Sequence, residues 1–186
     1  MHGKPILASQ PADVDLQFNL SHSGDLALAG FCVGGSLGVD VEHTDRAVDP
    51  DALIARFGSP GEREMLTALK PDARRRRFLE LWTCKEACVK ATGLGIGTGL
   101  EHVDIDLTTR APRLVGAPAG HGSAREWSLL LLEPAAGVTA AVALRDARRE
   151  MTGVDAPQMA PVAPGLMGQR IEIDLAARET ARTAPL

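Results

Sequence analysis

The stretch "PDARRRRFLELWTCKEACVKATG", residues 71–93, orders everything on either side of it. Some twenty residues run from a Pro–Asp start to a glycine stop with no internal breaker, which predicts one long α-helix. Leu81, Cys84, Cys88 and Ala91 recur at three- and four-residue steps and draw an apolar stripe along it. Glu86 and Lys90 fall off that stripe, about 40° apart around the axis, bordered by Trp82 and Val89. A surface pair of this spacing is common and contributes only about 0.3 kcal/mol. Here it borders a bulky indole and precedes the run "GLGIGTG" (93–99), an unusual place for an idle pair. Lys85 lies inside the apolar arc, where its stem would snorkel or its ammonium would contact an anion.

Upstream, "DVDLQFNLSHSGDLALAGFCVGGSLGVDVEH" (13–43) bunches apolar residues between glycine signals. It predicts strands at about 16–20, 26–33 and 37–42, the last two joined as a hairpin by Gly34-Gly35. Asp49-Pro50 and Ser59-Pro60 are each a cap followed by a proline at the first helical position, so two short helices follow. Downstream, "VDIDL" (103–107), "REWSLLLLE" (125–133) and "GVTAAVALR" (137–145) read as strands, the last two as a hairpin. The element pattern is α+β. Past about residue 146 the chain turns Pro-, Ala- and Gly-rich ("APQMAPVAPGLMGQ", 156–169). It reads as a flexible extension over 147–186: a linker over 150–169 and a weakly amphipathic end over 170–186.

Composition narrows the function classes. With 186 residues the chain fits one domain plus a tail. A net charge of −4 provides no overall basic field for nucleic acid, and Arg74–Arg77 reads as a solvated helix face. No run approaches the roughly 18 apolar residues of a membrane span. Three cysteines form no even framework and no secretory signal is visible, which suggests a reducing cytoplasm. Cys84 and Cys88 have helical spacing for a metal pair, but on an apolar stripe the plainer reading is core packing.

Asp40 and Glu42, two apart on a strand, share one face while Val39 and Val41 point into the core. Two adjacent carboxylates repel unless a cation sits between them, and magnesium favours such oxygen ligands. From this pair alone the bland reading is a solvated strand face. Glu86 shifts the balance by offering a third carboxylate, and Lys90 a cation for phosphate oxygens. Ser21 and His22 are neighbours on a strand and face opposite sides, so they make no nucleophile–base pair. With nearby backbone N–H groups they could bind a phosphate instead.

In order along the chain, "GKPIL", "FNLSHS", "LGVDVEH" and "LWTCKEACVKATGLGI" resemble the 4′-phosphopantetheinyl transferase superfamily. The resemblance, over about residues 3–145, is to the larger, surfactin-synthetase-activating type that serves polyketide and nonribosomal peptide synthetases. It implies an α+β fold, half of a pseudo-dimer with coenzyme A in the cleft between halves. It also implies that residues 1–36 are a remnant of the first half and 37–146 the second half.

By position, Asp40, Glu42 and Glu86 match the magnesium ligands. Lys90 matches a lysine at the coenzyme A phosphates, Ser21 and His22 the pair that reaches the same cofactor, and Lys4 the lysine of "GKP". Lys85 is taken with them as a cofactor contact, and Glu86, Glu62 or a metal-bound water would serve as the base. The reaction implied is transfer of 4′-phosphopantetheine from coenzyme A to a serine of an apo acyl- or peptidyl-carrier protein. The carrier would dock around residues 93–124, where Ile96 and Leu100 either line that surface or pack inside. Most of the first half of the larger type has no counterpart before "GKP". The expectations are therefore a misplaced start, a homo-oligomer that rebuilds the cleft, or a weakly active or inactive chain that only binds coenzyme A or a carrier. A magnesium phosphohydrolase is disfavoured, since neither a nucleophile nor a second metal cluster is visible.

Overall fold

The computed structural model describes residues 15–95, 97, 99–109 and 111–145, the single residues 4 and 7, and the backbone of 158–160 and 170–172. The chain divides into two units, Met1–Val154 and Asp155–Leu186. The first contains β1 (Leu16–Ser23), β2 (Leu26–Val33), β3 (Ser36–His43), α1 (Pro50–Phe57), α2 (Pro60–Thr67) and α3 (Pro71–Thr92). After these come β4 (Asp104–Asp106), β5 (Arg113–Gly116), β6 (Trp127–Leu132) and β7 (Val138–Arg145). Single 3-10 turns at Leu100–His102 and Ala124–Glu126 punctuate the second half. The mixture is α+β, and all its strand pairs are antiparallel.

The three helices start and stop where their chemistry dictates. Asp49 caps α1 by accepting from the amides of Asp51 and Ala52. Ser59 opens α2 in a reciprocal box: its hydroxyl accepts from Glu62 N–H and Glu62 accepts from Ser59 N–H. Gly93 ends α3 at φ 76°, a left-handed position that a Cβ would disfavour, and donates back to Val89 O and Lys90 O.

The strand reading needs one correction. Gly34 and Gly35 both have positive φ, 68° and 84°, but they do not close a hairpin. The hairpin is β1–β2, turning at Gly24–Asp25 in a register that runs from Leu16↔Val33 to Ser23↔Leu26. Gly34-Gly35 instead carries the chain out of that ribbon, with Gly34 N–H donating to Asp15 O at 2.8 Å. Past it, β3 pairs with β7 in a sheet of order β3-β7-β6. Burial explains the switch. β2 alternates half-buried and exposed, whereas β3 is buried continuously from Leu37 to Glu42. A one-sided and a two-sided strand belong to different layers, and the charges at 40 and 42 hid the second kind.

α3 lies across β3 and β7, and Gly38 allows a close approach. A Cβ on Gly38 would sit 2.0 Å from Ala87 O and 2.4 Å from Ala91 N. That contact places Gly38, Asp40 and Glu42 on the α3 side of the strand. Val41 packs on the other side with Val138, Ala140, Leu26 and Leu28. Cys84 and Cys88 are fully buried among Leu81, Ala87 and Val89, as core packing requires, and burial pushes both thiols upward. Leu100 is fully buried in the same core, so it is no docking residue; Ile96 lies outside the described residues. Among the described residues no helix is long and apolar enough to cross a membrane.

In the second unit, β8 (Gln158–Ala160) pairs antiparallel with β9 (Arg170–Glu172). Both fall in the stretch expected to be flexible, and the rest of 147–186 lies outside the described residues.

Candidate metal and phosphate site

β3 and α3 bring three carboxylates together. One oxygen each of Asp40, Glu42 and Glu86 lies within 4.8 Å of the others. All three are buried, at 2%, 7% and 6% exposure, which rules out the solvated strand face. Burial is the main reason that all three carboxyls sit above their ordinary range. For Glu86 burial and then the nearby Asp40 push it to about 7, against a smaller pull from Lys90. The donor set is oxygen only, which suits a hard divalent cation. Asp40 Oδ2 adds an independent sign: it is buried and has no hydrogen-bond partner, a costly state unless a ligand completes it.

Two cations already lean on the cluster. Lys90 Nζ lies 2.5 Å from Asp40 Oδ1, 2.9 Å from Ser21 Oγ and 3.9 Å from Glu86 Oε2. Arg46 donates to Glu42 Oε1 from four residues further on. The predicted Glu86–Lys90 proximity is therefore real, but the lysine's closest contact is Asp40.

β1 supplies polar contacts that sequence reasoning missed. It runs along the free edge of β3 without a backbone ladder, so side chains take the ladder's place. Asn19 Oδ1 accepts from Val39 N–H at 3.0 Å. Ser21 Oγ donates to Asp40 Oδ1 at 2.8 Å. Ser23 Oγ lies 3.1 Å from Glu42 Oε2 and accepts from His43 N–H. The available signal was the Asn-x-Ser-x-Ser alternation at 19, 21 and 23, matching the period of 40 and 42.

The remaining expected residues are placed elsewhere. His22 is exposed on the face opposite Ser21, as the alternation requires. Lys4 is half-buried with Nζ 3.4 Å from Ala91 O, at the C-terminal end of α3, and burial lowers its pKa. Lys85 and Glu62 make a sealed pair 2.9 Å apart, with side chains 2% and 0% exposed. Lys85 Nζ also donates to Phe57 O, Leu100 O and Val103 O. Both Glu62 oxygens are engaged, one by Ile105 N–H and one by Ser59 N–H and Lys85. Neither group reaches solvent, so in this arrangement Lys85 cannot meet a phosphate nor Glu62 a substrate proton.

Comparison with known proteins shows the family. The model of the 4′-phosphopantetheinyl transferase superfamily matches residues 36–143, from the start of β3 almost to the end of β7. The chain is 43% identical over 143 residues to 4′-phosphopantetheinyl transferase HetI of Nostoc sp., covering 76% of this chain and 57% of that protein. It is 35% identical over 106 residues to AcpT of Escherichia coli and 29% identical over 120 to Sfp of Bacillus subtilis, covering 51% of each. The chain belongs to the 4′-phosphopantetheinyl transferase superfamily. It spans about half the length of the curated relatives it matches.

Proposed function

We propose that this chain transfers 4′-phosphopantetheine from coenzyme A to a serine of an apo acyl- or peptidyl-carrier protein in the cytoplasm, with magnesium held by Asp40, Glu42 and Glu86. The observation that carries the reading is the buried three-carboxylate cluster with Asp40 Oδ2 left without a partner, in a chain of this family. A divalent cation there would offset the charge of the coenzyme A pyrophosphate, which is how most of the barrier to such transfers is lowered. Lys90, 23% exposed at its side chain, is the ammonium placed to meet phosphate oxygens at the rim. Of the two candidate carboxylate bases, Glu86 faces the cluster and Glu62 is sealed off, so of these Glu86 is assigned to take the serine proton, the other candidate being a metal-bound water. The serine oxygen then bonds the phosphorus that bears pantetheine, and adenosine 3′,5′-bisphosphate departs with the electrons of the broken P–O bond.

The test is mass spectrometry of an apo carrier protein incubated with the chain, coenzyme A and magnesium. Addition of one phosphopantetheine that is lost with Glu86→Gln is expected. No addition by a folded chain overturns the reading. A second reading is favoured by the outer face of the β1–β2 hairpin, where Leu20, Phe31 and Val33 are 55%, 67% and 73% exposed. On that reading the chain binds coenzyme A or a carrier, and transfers only when a second copy covers this face. Transfer confined to an oligomeric size-exclusion fraction would establish it.

A further inference from the structure

We propose that Ser21 and Ser23 are positioning residues that aim Asp40 and Glu42 at the cation, so that β1 serves as a template for the acid pair on β3. The proposal rests on the metal assignment above and adds the residues that hold the ligands in place.

The observations are geometric. A row of alternate β1 residues points at β3, and each member engages a successive point on that strand: Asn19 the Val39 amide, Ser21 Asp40, Ser23 Glu42. The hydroxyl of Ser21 closes a triangle. It donates to Asp40 Oδ1 at 2.8 Å and accepts from Lys90 at 2.9 Å, while Lys90 reaches the same Oδ1 at 2.5 Å. One Asp40 oxygen is thus fully engaged by the protein and the other, Oδ2, is left buried and unpartnered. A freely rotating carboxylate would share its contacts between both oxygens. Here the triangle fixes which oxygen remains for a ligand. At Glu42 Ser23 holds Oε2 while Arg46 holds Oε1, so the carboxylate is oriented from both sides, and Ser23 is itself held by the His43 amide. Ser21 is 8% exposed, so its hydroxyl is committed to this triangle rather than presented to solvent. Outer partners of metal ligands commonly affect affinity by about 10–100-fold.

The experiment titrates the full chain with manganese(II) alone, counting free ion by electron paramagnetic resonance, with no coenzyme A or carrier present. Ser21→Ala and Ser23→Ala should each weaken binding about tenfold, and Ser21→Thr, which keeps the hydroxyl, should recover most of the loss. Circular dichroism melts identify any variant that fails to fold; Ser23→Ala, at the strand end, is the safeguard if Ser21→Ala unfolds. Asp40→Asn separates the two levels of the argument. If Asp40→Asn abolishes manganese binding while both serine variants bind as the parent does, the positioning role is overturned and the metal site stands. If Asp40→Asn binds manganese normally, the metal assignment itself fails. A serine loss that Thr does not recover also overturns the positioning role, because it would reflect packing rather than the hydroxyl.

Discussion

Adjacent residues of α3 belong to two buried charge clusters that differ in one respect. Around Lys85 every polar atom is matched: one ammonium meets three carbonyls and Glu62, and Glu62 meets two further amides. Around Glu86, three carboxylates share Lys90 and Arg46, and one oxygen is left over. The first cluster ties α1, α2, the 3-10 turn at Leu100–His102 and β4 to the middle of α3. The second is short of positive charge and of donors. A matched buried pair fixes a fold, whereas a deficient one stores a demand that a ligand can meet. Sequence motifs place Lys85, Glu86 and Lys90 in one functional line, yet the structure separates the first from the other two.

The strongest way to break this comparison is Lys85→Met. It leaves Glu62 buried without its counter-ion and three carbonyls without a donor, so a loss of about 3–5 kcal/mol is expected by urea denaturation. Adding Glu62→Gln should recover part of it, because the unpaired charge is removed and the amide oxygen can still accept from one of the two amides, Ser59 or Ile105. If Lys85→Met folds with parental stability but loses coenzyme A affinity, the lysine serves the ligand and the contrast collapses.

Next in size is Gly38→Ala, which adds a Cβ against two backbone atoms of α3 that cannot turn aside. The helix must lift, at a cost of about 3 kcal/mol. Lifting α3 also draws Glu86 away from Asp40 and Glu42. Manganese affinity should therefore fall although no acid is altered, while Gly30→Ala, against Val39 and Leu37 side chains on the far face of β3, should affect stability alone.

These effects also show why the sequence was only partly legible. Capping chemistry at Asp49, Ser59 and Gly93 is local, so the helix boundaries could be read from neighbours alone. The acids of the cluster could be read because a period of two on β3 and a motif on α3 mark them. Strand pairing was harder, since Gly34-Gly35 satisfies hairpin chemistry locally and only the two-sided burial of β3 sends it to β7. Lys85 and Glu62 failed for a related reason. A charged residue beside a functional one looks functional, and the sealed pair depends on Phe57, Leu100 and Val103, carbonyls far apart in sequence. Arg46 carried no motif, and the role of Ser23, although it ends "FNLSHS", became visible only once β1 lay against β3.

A sharper test of the deficient cluster is its pH response without metal. Glu86 moves from an ordinary 4.5 to about 7. Stability that depends on its protonated form is complete below about pH 4.5 and is lost as pH rises through about 7. Asp40 and Glu42, also raised, act in the same direction, and Lys90 and Arg46 oppose them. The metal-free chain should lose on the order of 2 kcal/mol across that window in EDTA. Glu86→Gln should remove most of this slope and be more stable than the parent at pH 8. Saturating magnesium should reverse the slope, because binding favours the ionised carboxylates. A parent whose stability is flat from pH 4.5 to 8 in EDTA would mean that the cluster is already balanced.

The smallest effect is expected at Arg46, and its sign carries the information. Its side chain is 46% exposed, so its pair with Glu42 should contribute under about 1 kcal/mol to stability. Yet it is a positive charge resting on a ligand of the cation, and its removal lifts a repulsion from the incoming metal. Arg46→Ala should therefore bind manganese about threefold more tightly, the equivalent of roughly 0.6 kcal/mol, while Ser23→Ala on the other side of the same carboxylate binds it more weakly. Two neighbours of Glu42 would then move the affinity in opposite directions, one because it competes for the carboxylate and one because it aims it. If both substitutions weaken binding, Arg46 orients Glu42 as Ser23 does, and the cluster holds one fewer competing cation than its contacts suggest.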